Sequence, residues 1–344
     1  MSESAVSRSA EWASNISRGR KAAAERRNEH TDWLQWRRHG IGGSDAAAVC
    51  GLDPWRSPMT VWLDKTGRLP LEDGDPSPWL RMGRRLEDPI IEEFEFLTGL
   101  RVACRQEMCQ HPEHPWMRAT LDGLVCESPE ALPRLGLLEI KTASWRSPVD
   151  WKAGVPDHVQ LQVQHNLEVA QLDHAWVAVL LNGQELRIHE LDRDPIAIQQ
   201  LLELEQDFWQ RVQEGRPPAA DGTAETGQAL REAFREPDPG AVLELEQGDL
   251  ELVDQYRTAK AVEKAATDEA QRFANALMAR LGEYEIGVYG DEPVVTWKRL
   301  TQERVDQKEV RAYAATHPRL ARRFIKTESA RRLHLPANHT QGEG

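Results

Sequence analysis

The chain has 344 residues, 40% of them hydrophobic, and a net charge of −13, which allows one large domain with additions or two domains. No run of eighteen apolar residues occurs, which excludes a membrane-spanning helix, and the N-terminus lacks the apolar stretch of a secretory signal. The charge is uneven: residues 1–40 hold eight Lys/Arg against five Asp/Glu, residues 301–344 hold nine against five, and the body between is strongly acidic. Such a body argues against a protein that coats nucleic acid, yet it suits an enzyme that cuts it in a locally basic groove. The four cysteines follow no framework spacing, and a reduced, cytoplasmic setting is expected.

Residues 1–30 read as a loose, partly helical tail. Ser44 or Asp45 is expected to cap a short helix through Ala46–Val49 that stops at Gly51. Pro58 opens a second helix that ends before Gly67. Residues 72–78 form a loop. Over 82–99, Leu86, Ile90, Phe94 and Leu97 recur at helical spacing. Strand-like segments follow at 100–109, 116–121, 135–142, 174–181 and 185–191, with Asn182-Gly183 as a hairpin turn. Helices are expected at about 156–170 and 194–214. This order predicts a mixed central sheet flanked by helices, α/β or α+β in class.

The domain plan is a tail (1–30), a main domain (31–215), a linker (216–246), an accessory segment (247–335) and a second tail (336–344). The accessory segment holds a long helix over 247–281, strands at 283–289 and 293–299, and a helix at 303–315. The long helix is amphipathic through Leu252, Val253, Tyr256, Ala259 and Val262. It could pair with another chain or pack on its own domain.

Chemistry enters at "LGLLEIKTAS", residues 135–144. Residues two apart on a strand share a face, so Glu139 and Lys141 point one way and Ile140 the other. An isolated Glu-x-Lys is most often two solvated charges. "ATLDGLV" (119–125) changes the weighting, because a hairpin between the two segments sets Asp122 beside Glu139. Adjacent carboxylates repel unless a cation lies between them, and hard oxygen donors suit Mg²⁺ or Mn²⁺. A neighbouring lysine can orient or deprotonate a water and offset charge building on a phosphate. Glu87, at the border of the helix 82–99 stripe, offers a third acid. In "VQLQVQHNLEVA" (159–170), Gln160 and Gln164 share a helical face and Gln162 is offset; most helical glutamines do nothing specific.

"WLQWRRHGIGGSDAAAV", "GRRLEDPIIEEF", "WMRATLDGLV", "LLEIKTAS" and "QLQVQHNLEVA" stand in an order and spacing that resembles the YqaJ-type viral recombinase family. That family includes the lambda exonuclease and belongs to the PD-(D/E)xK nucleases. The resemblance covers about residues 31–215. It implies a restriction-endonuclease-like core, with Glu87, Asp122, Glu139 and the Ile140 carbonyl holding one or two Mg²⁺ or Mn²⁺ ions. Lys141 matches the catalytic lysine, and Gln162 and Gln164 match the Gln-x-Gln helix. Arg37 and Ser44 fall where the lambda enzyme holds a 5′-phosphate, and Thr120 replaces a serine there. Leu121 stands where the family has proline. The implied activity is 5′-to-3′ exonuclease action on double-stranded DNA ends for recombination. A single-strand annealing protein is the implied partner and a trimer the implied assembly. The alternatives are an endonuclease on branched or nicked DNA, and a non-catalytic recombination scaffold.

Two signals carry less. Cys104, Cys109, His111 and His114 lack the usual zinc spacing and read better as a hairpin tip. Trp33, Trp36 and Trp55 could stack on bases, although core packing is the commoner use of tryptophan.

Overall fold

A computed structural model describes residues 30–71, 78–128, 135–144, 151–325, 331 and 333–335. Most of the expected N-terminal tail, nearly all of the 72–78 loop and the tail from 336 lie outside the described residues. The chain forms two compact units, one of Met1–Arg235 with Arg331–Gly344 and one of Glu236–Ala330.

In chain order the first unit holds α1 (30–38), β1 (Ile41–Gly42), α2 (Gly43–Val49), α3 (Pro58–Lys65) and α4 (Pro78–Thr98). Then come β2 (Arg101–Ala103), β3 (Glu107–Gln110), β4 (Met117–Leu121), β5 (Gly123–Cys126) and β6 (Gly136–Ala143). It closes with α5 (Asp157–Ala170), β7 (His174–Leu181), β8 (Glu185–Asp192), α6 (Pro195–Glu214) and α7 (Ala224–Ala233). A five-stranded sheet runs β2-β5-β6-β7-β8, in which only β6 and β7 pair in parallel. A three-stranded sheet, β1-β4-β3, lies beside it in the fold. The class is the expected mixed α/β.

Strand β6 sits at the centre because both of its faces are covered. Leu137 joins α5 residues Val159, Val163 and Leu167 in one core cluster. Leu138 and Ile140 join Ile90, Ile91 and Phe94 of α4 in another. The alternation therefore places Glu139 and Lys141 on the α5 side. Burying each large apolar side chain of α4 contributes about 1.5–3 kcal/mol. The stripe of α4 differs from expectation at one end: Leu97 is 54% exposed, and Ile91 packs in the core instead.

Two other expectations change. The single strand at 100–109 is two, because Cys104 and Gln106 take positive φ angles of 49° and 57°. That kink sends β2 to one sheet and β3 to the other. The linker at 216–246 contains α7, whose Thr223 caps it by accepting from the Thr226 amide. Thr226 donates to Ser57 at 2.5 Å, and Ala229 packs with Val61, Trp62 and Phe208. The first unit thus runs to Arg235, well past 215.

The second unit holds α8 (Gln247–Leu281), an antiparallel hairpin of β9 (Ile286–Tyr289) and β10 (Glu292–Thr296), α9 (Gln307–Ala315) and α10 (Pro318–Phe324). The long helix matches its expected bounds, while α10 had no expectation. Among the described residues no helix is long and apolar enough to cross a membrane.

Candidate active site

The β5–β6 hairpin pairs Gly123 with Leu138, which sets Asp122 opposite Glu139. Asp122 Oδ2 accepts the Ile140 amide at 2.8 Å, so the strand backbone itself fixes the aspartate. Glu139 is 3% exposed and fully engaged. Its Oε1 accepts from Lys141 Nζ at 2.7 Å and Gln162 Nε2 at 2.6 Å, and its Oε2 accepts from Asn166 Nδ2 at 3.1 Å. Lys141 also donates to Gln162 Oε1 at 2.9 Å, closing a triangle of Glu139, Lys141 and Gln162. Glu87, from α4, accepts from Gln106 Nε2 at 3.1 Å.

Two of these acids, Asp122 and Glu87, are shifted. Burial, then the Glu139 carboxylate, pushes the Asp122 carboxyl up to about 8, against the pull of Lys141 and the Ile140 amide. Burial also raises Glu87, against the pull of Arg84. Burial pulls the Lys141 amine down, but Glu139 and Asp122 outweigh it and hold the amine above its ordinary value. A cluster in which carboxylates hinder one another's ionisation is short of positive charge.

A cavity of about 150 Å³ opens beside this cluster, lined by Glu87, Asp122 and Gln162 on one side and Arg37, Ser44 and Thr120 on the other. Strand β4 builds part of the wall by alternation: Met117, Ala119 and Leu121 enter the core, while Arg118 and Thr120 line the cavity. Arg37 donates to Ser44 Oγ at 2.8 Å and lies over the Trp33 ring. Trp33 Nε1 donates to Thr120 Oγ1 at 3.1 Å, and Trp36 lies under Arg118, which donates to the Trp36 carbonyl. Both tryptophans line the cavity, whereas Trp55 is 51% exposed and meets His158 edge-on.

Behind Arg37 lies Asp45, fully buried. It does not act as the helix cap. Gly42 holds that position, and the Asp45 carboxylate accepts the Gly42 amide at 3.1 Å. The same carboxylate meets Lys65 and Arg56, each at 2.6 Å, and Arg37 at 3.8 Å. Burial opposes its ionisation, but Lys65, Arg56 and Arg37 together hold its carboxyl well below the usual range.

Of the residues expected at the site, the fold gathers Glu87, Asp122, Glu139, Lys141, Gln162, Arg37, Ser44 and Thr120. Ile140 sits between Glu139 and Lys141, its side chain in the core and its amide on Asp122. Gln164 is the exception. Its amide donates to the Asp192 carbonyl and accepts the Asp194 amide, both at 2.9 Å, which ties α5 to the start of α6. Residues two apart on a helix diverge by about 200°, so Gln162 and Gln164 cannot share one site.

Sequence reading passed over Asn166, Arg118 and Gln106, all on the cavity wall. Asn166 was legible: it follows Gln162 by four and so shares its helical face. It also meets α2, since a Cβ on Gly43 would fall 2.2 Å from Asn166 Oδ1.

The donor set of Asp122, Glu139 and Glu87 suits a hard divalent ion in chemistry and charge. Among the described residues, however, no three His, Cys, Asp or Glu side chains already close into a metal cage. Lys141 and the two amides hold the Glu139 oxygens instead.

A YqaJ-like viral recombinase domain model matches residues 32–173. A relative, the uncharacterized protein YqaJ of Bacillus subtilis (strain 168), is 30% identical over 284 residues, 81% of this chain and 86% of the relative. Among solved structures, an alkaline exonuclease (LHK-Exo) from Laribacter hongkongensis is similar over 54% of this chain and 94% of its own, with 17% identity and a TM-score of 0.42. A phage-related exonuclease from Haemophilus somnus 129PT matches over 51% and 96%, with 13% identity and a TM-score of 0.33.

Proposed function

The chain belongs to the YqaJ-like viral recombinase family, and from that premise and the geometry of its site we propose that it is a metal-dependent deoxyribonuclease acting on duplex ends. One observation carries this reading: Glu87, Asp122 and Gln162 line the same cavity as Arg37 and Ser44, and Gln162 in turn bonds both Glu139 and Lys141.

Asp122, Glu139 and Glu87 would hold Mg²⁺ or Mn²⁺, which when bound supplies Lewis-acid activation of water and of the scissile phosphate. Lys141, held as an ammonium between two carboxylates, offsets charge developing on the phosphate and orients the attacking water. Gln162 holds Lys141 and Glu139 in register through its two amide atoms. Asn166 fixes the second Glu139 oxygen. Arg37 and Ser44, backed by buried Asp45, receive a terminal 5′-phosphate, with Thr120 on the same wall. A phosphate held there registers the duplex end against the acids, so cutting proceeds 5′ to 3′.

The test is a time course on end-labelled linear duplex in Mg²⁺ and in EDTA, with covalently closed circles alongside. Release of nucleotides from the 5′ end, in Mg²⁺ alone, is expected. Cutting of closed circles would replace the end-dependent reading with an endonuclease. Degradation unaffected by EDTA would remove the metal.

A further inference from the structure

His165 of α5 and Glu205 of α6 are both fully buried, and neither takes part in the chemistry proposed above. His165 Nδ1 meets Glu205 Oε1 at 2.8 Å, and its Nε2 meets the Arg118 carbonyl of β4 at 3.0 Å. A carbonyl can only accept, so Nε2 carries a proton and donates it. A second proton lies between Nδ1 and Glu205, which fixes the plane of the ring. Such a pair is a costly way to fill a core. Among the described residues Glu205 Oε2 has no partner, and a buried carboxyl oxygen without one opposes folding. Apolar side chains of similar volume often serve stability as well or better. The pair therefore points to a task in fixing geometry rather than in adding stability.

What the His165 bond connects identifies that task. At one end stands α5. From this helix Gln162 bonds both Glu139 and Lys141, and Asn166, the residue after His165, holds the second Glu139 oxygen. At the other end stands β4, on which Arg118 and Thr120 line the cavity. Arg118 is also the register partner of Gly42 on β1, and the chain runs from there through Gly43 to Ser44. The bond from His165 to the Arg118 carbonyl thus ties the helix that holds the acids to the strand that carries Thr120 and stands beside the lead-in to Ser44.

We propose that His165, held by Glu205, is a positioning residue of the candidate active site: its bond to the Arg118 carbonyl sets the phosphate-side groups of β4 at their working distance from the acids. Glu205 acts on the site through His165 and touches none of the reacting groups. This inference rests on the proposed nuclease function and deepens it.

Two double variants of the full chain separate positioning from core filling. His165→Leu with Glu205→Leu removes both polar groups together and keeps the core apolar. His165→Gln with Glu205→Leu removes the buried acid as well, but the glutamine amide nitrogen takes the place of Nε2 and still donates to Arg118. Both are compared with the wild type on end-labelled duplex in Mg²⁺, below the melting temperature of each. The leucine pair should lose about ten- to a hundredfold in kcat, the cost of reacting groups set slightly out of place. The glutamine variant should recover most of that loss, which a role in packing alone would not produce. Equal kcat in the two folded variants, whether both fast or both slow, overturns the proposal. Should leucine at 165 fail to fold, His165→Met, unbranched and adaptable, replaces it in the same comparison. A wild type that cuts nothing overturns the nuclease reading and this role with it, whereas an active wild type beside two equal variants overturns this role alone.

Discussion

Two aspartates, one lining the cavity and one buried behind Arg37, meet opposite fates. Asp45 is buried among Lys65, Arg56 and Arg37, and its carboxyl is held far down. Asp122 stands among Glu139 and Glu87, and its carboxyl is pushed up to about 8. The chain neutralises the first with its own cations. It leaves the second with only Lys141 against several acids. A closed charge network positions neighbouring groups; the open one is where the proposed function would place a metal ion.

The sharpest blow to this contrast is Asp45→Ala. It would strip Lys65, whose side chain is 1% exposed, of its nearest carboxylate and leave it only Asp64, at 3.9 Å. A loss of about 3–5 kcal/mol is expected in urea unfolding, and a loss near zero would mean that Asp45 holds nothing. On the other wall, Lys141→Ala should cut the cleavage rate about 10²–10³-fold while leaving duplex binding in place, read by gel shift beside a nuclease assay. Retained cutting would strip Lys141 of its role.

The open wall has a thermodynamic signature. Mg²⁺ at a hundred times its dissociation constant should add about 2.7 kcal/mol to wild-type stability and far less to Asp122→Asn. The two aspartates should also differ in pH slope. The depressed carboxyl of Asp45 adds stability above about pH 4, which is lost as pH falls through its folded value. The raised carboxyl of Asp122 does the reverse. In EDTA it costs stability progressively as pH rises from about 4 to about 8, and Asp122→Asn should abolish that decline in a pH series of melting temperatures. Smallest of the effects, Arg37→Ala should lower the preference for 5′-phosphate over 5′-hydroxyl ends about ten- to a hundredfold, as expected for one charge-assisted hydrogen bond. A wild type indifferent to that phosphate would dissolve the role given to the basic wall.

Much of this wall was legible in the chain. The alternation of Leu138, Glu139, Ile140 and Lys141 fixed which side chains meet the core, because a strand has a period of two. The pairing of Asp122 with Glu139 followed from the short excursion between their strands. Gln164 went wrong because a motif carried over as Gln-x-Gln takes no account of the helical turn, whereas Gln162 and Asn166 obey it. The break at Cys104 and Gln106 was invisible, since neither residue type announces a positive φ. Helix α7 was masked by the Pro- and Gly-rich segment before it, and only its Thr226 contact with Ser57 shows why it folds there. Asp45 was read as a local cap because its three cations come from the distant Lys65 and Arg56 as well as from Arg37.

The close approach of Gly43 to Asn166 has one more implication. Ser44 follows Gly43 directly, and Asn166 grips Glu139, so the Gly43 backbone set against the Asn166 amide links the Arg37–Ser44 pair to the acids. A methyl group at position 43 would wedge them apart and be felt at Glu139 without altering any charge. Alanine there would force the Asn166 amide to shift from its place on Glu139, unless a smaller residue stood at 166, which makes the pair a steric link between two otherwise separate chemistries.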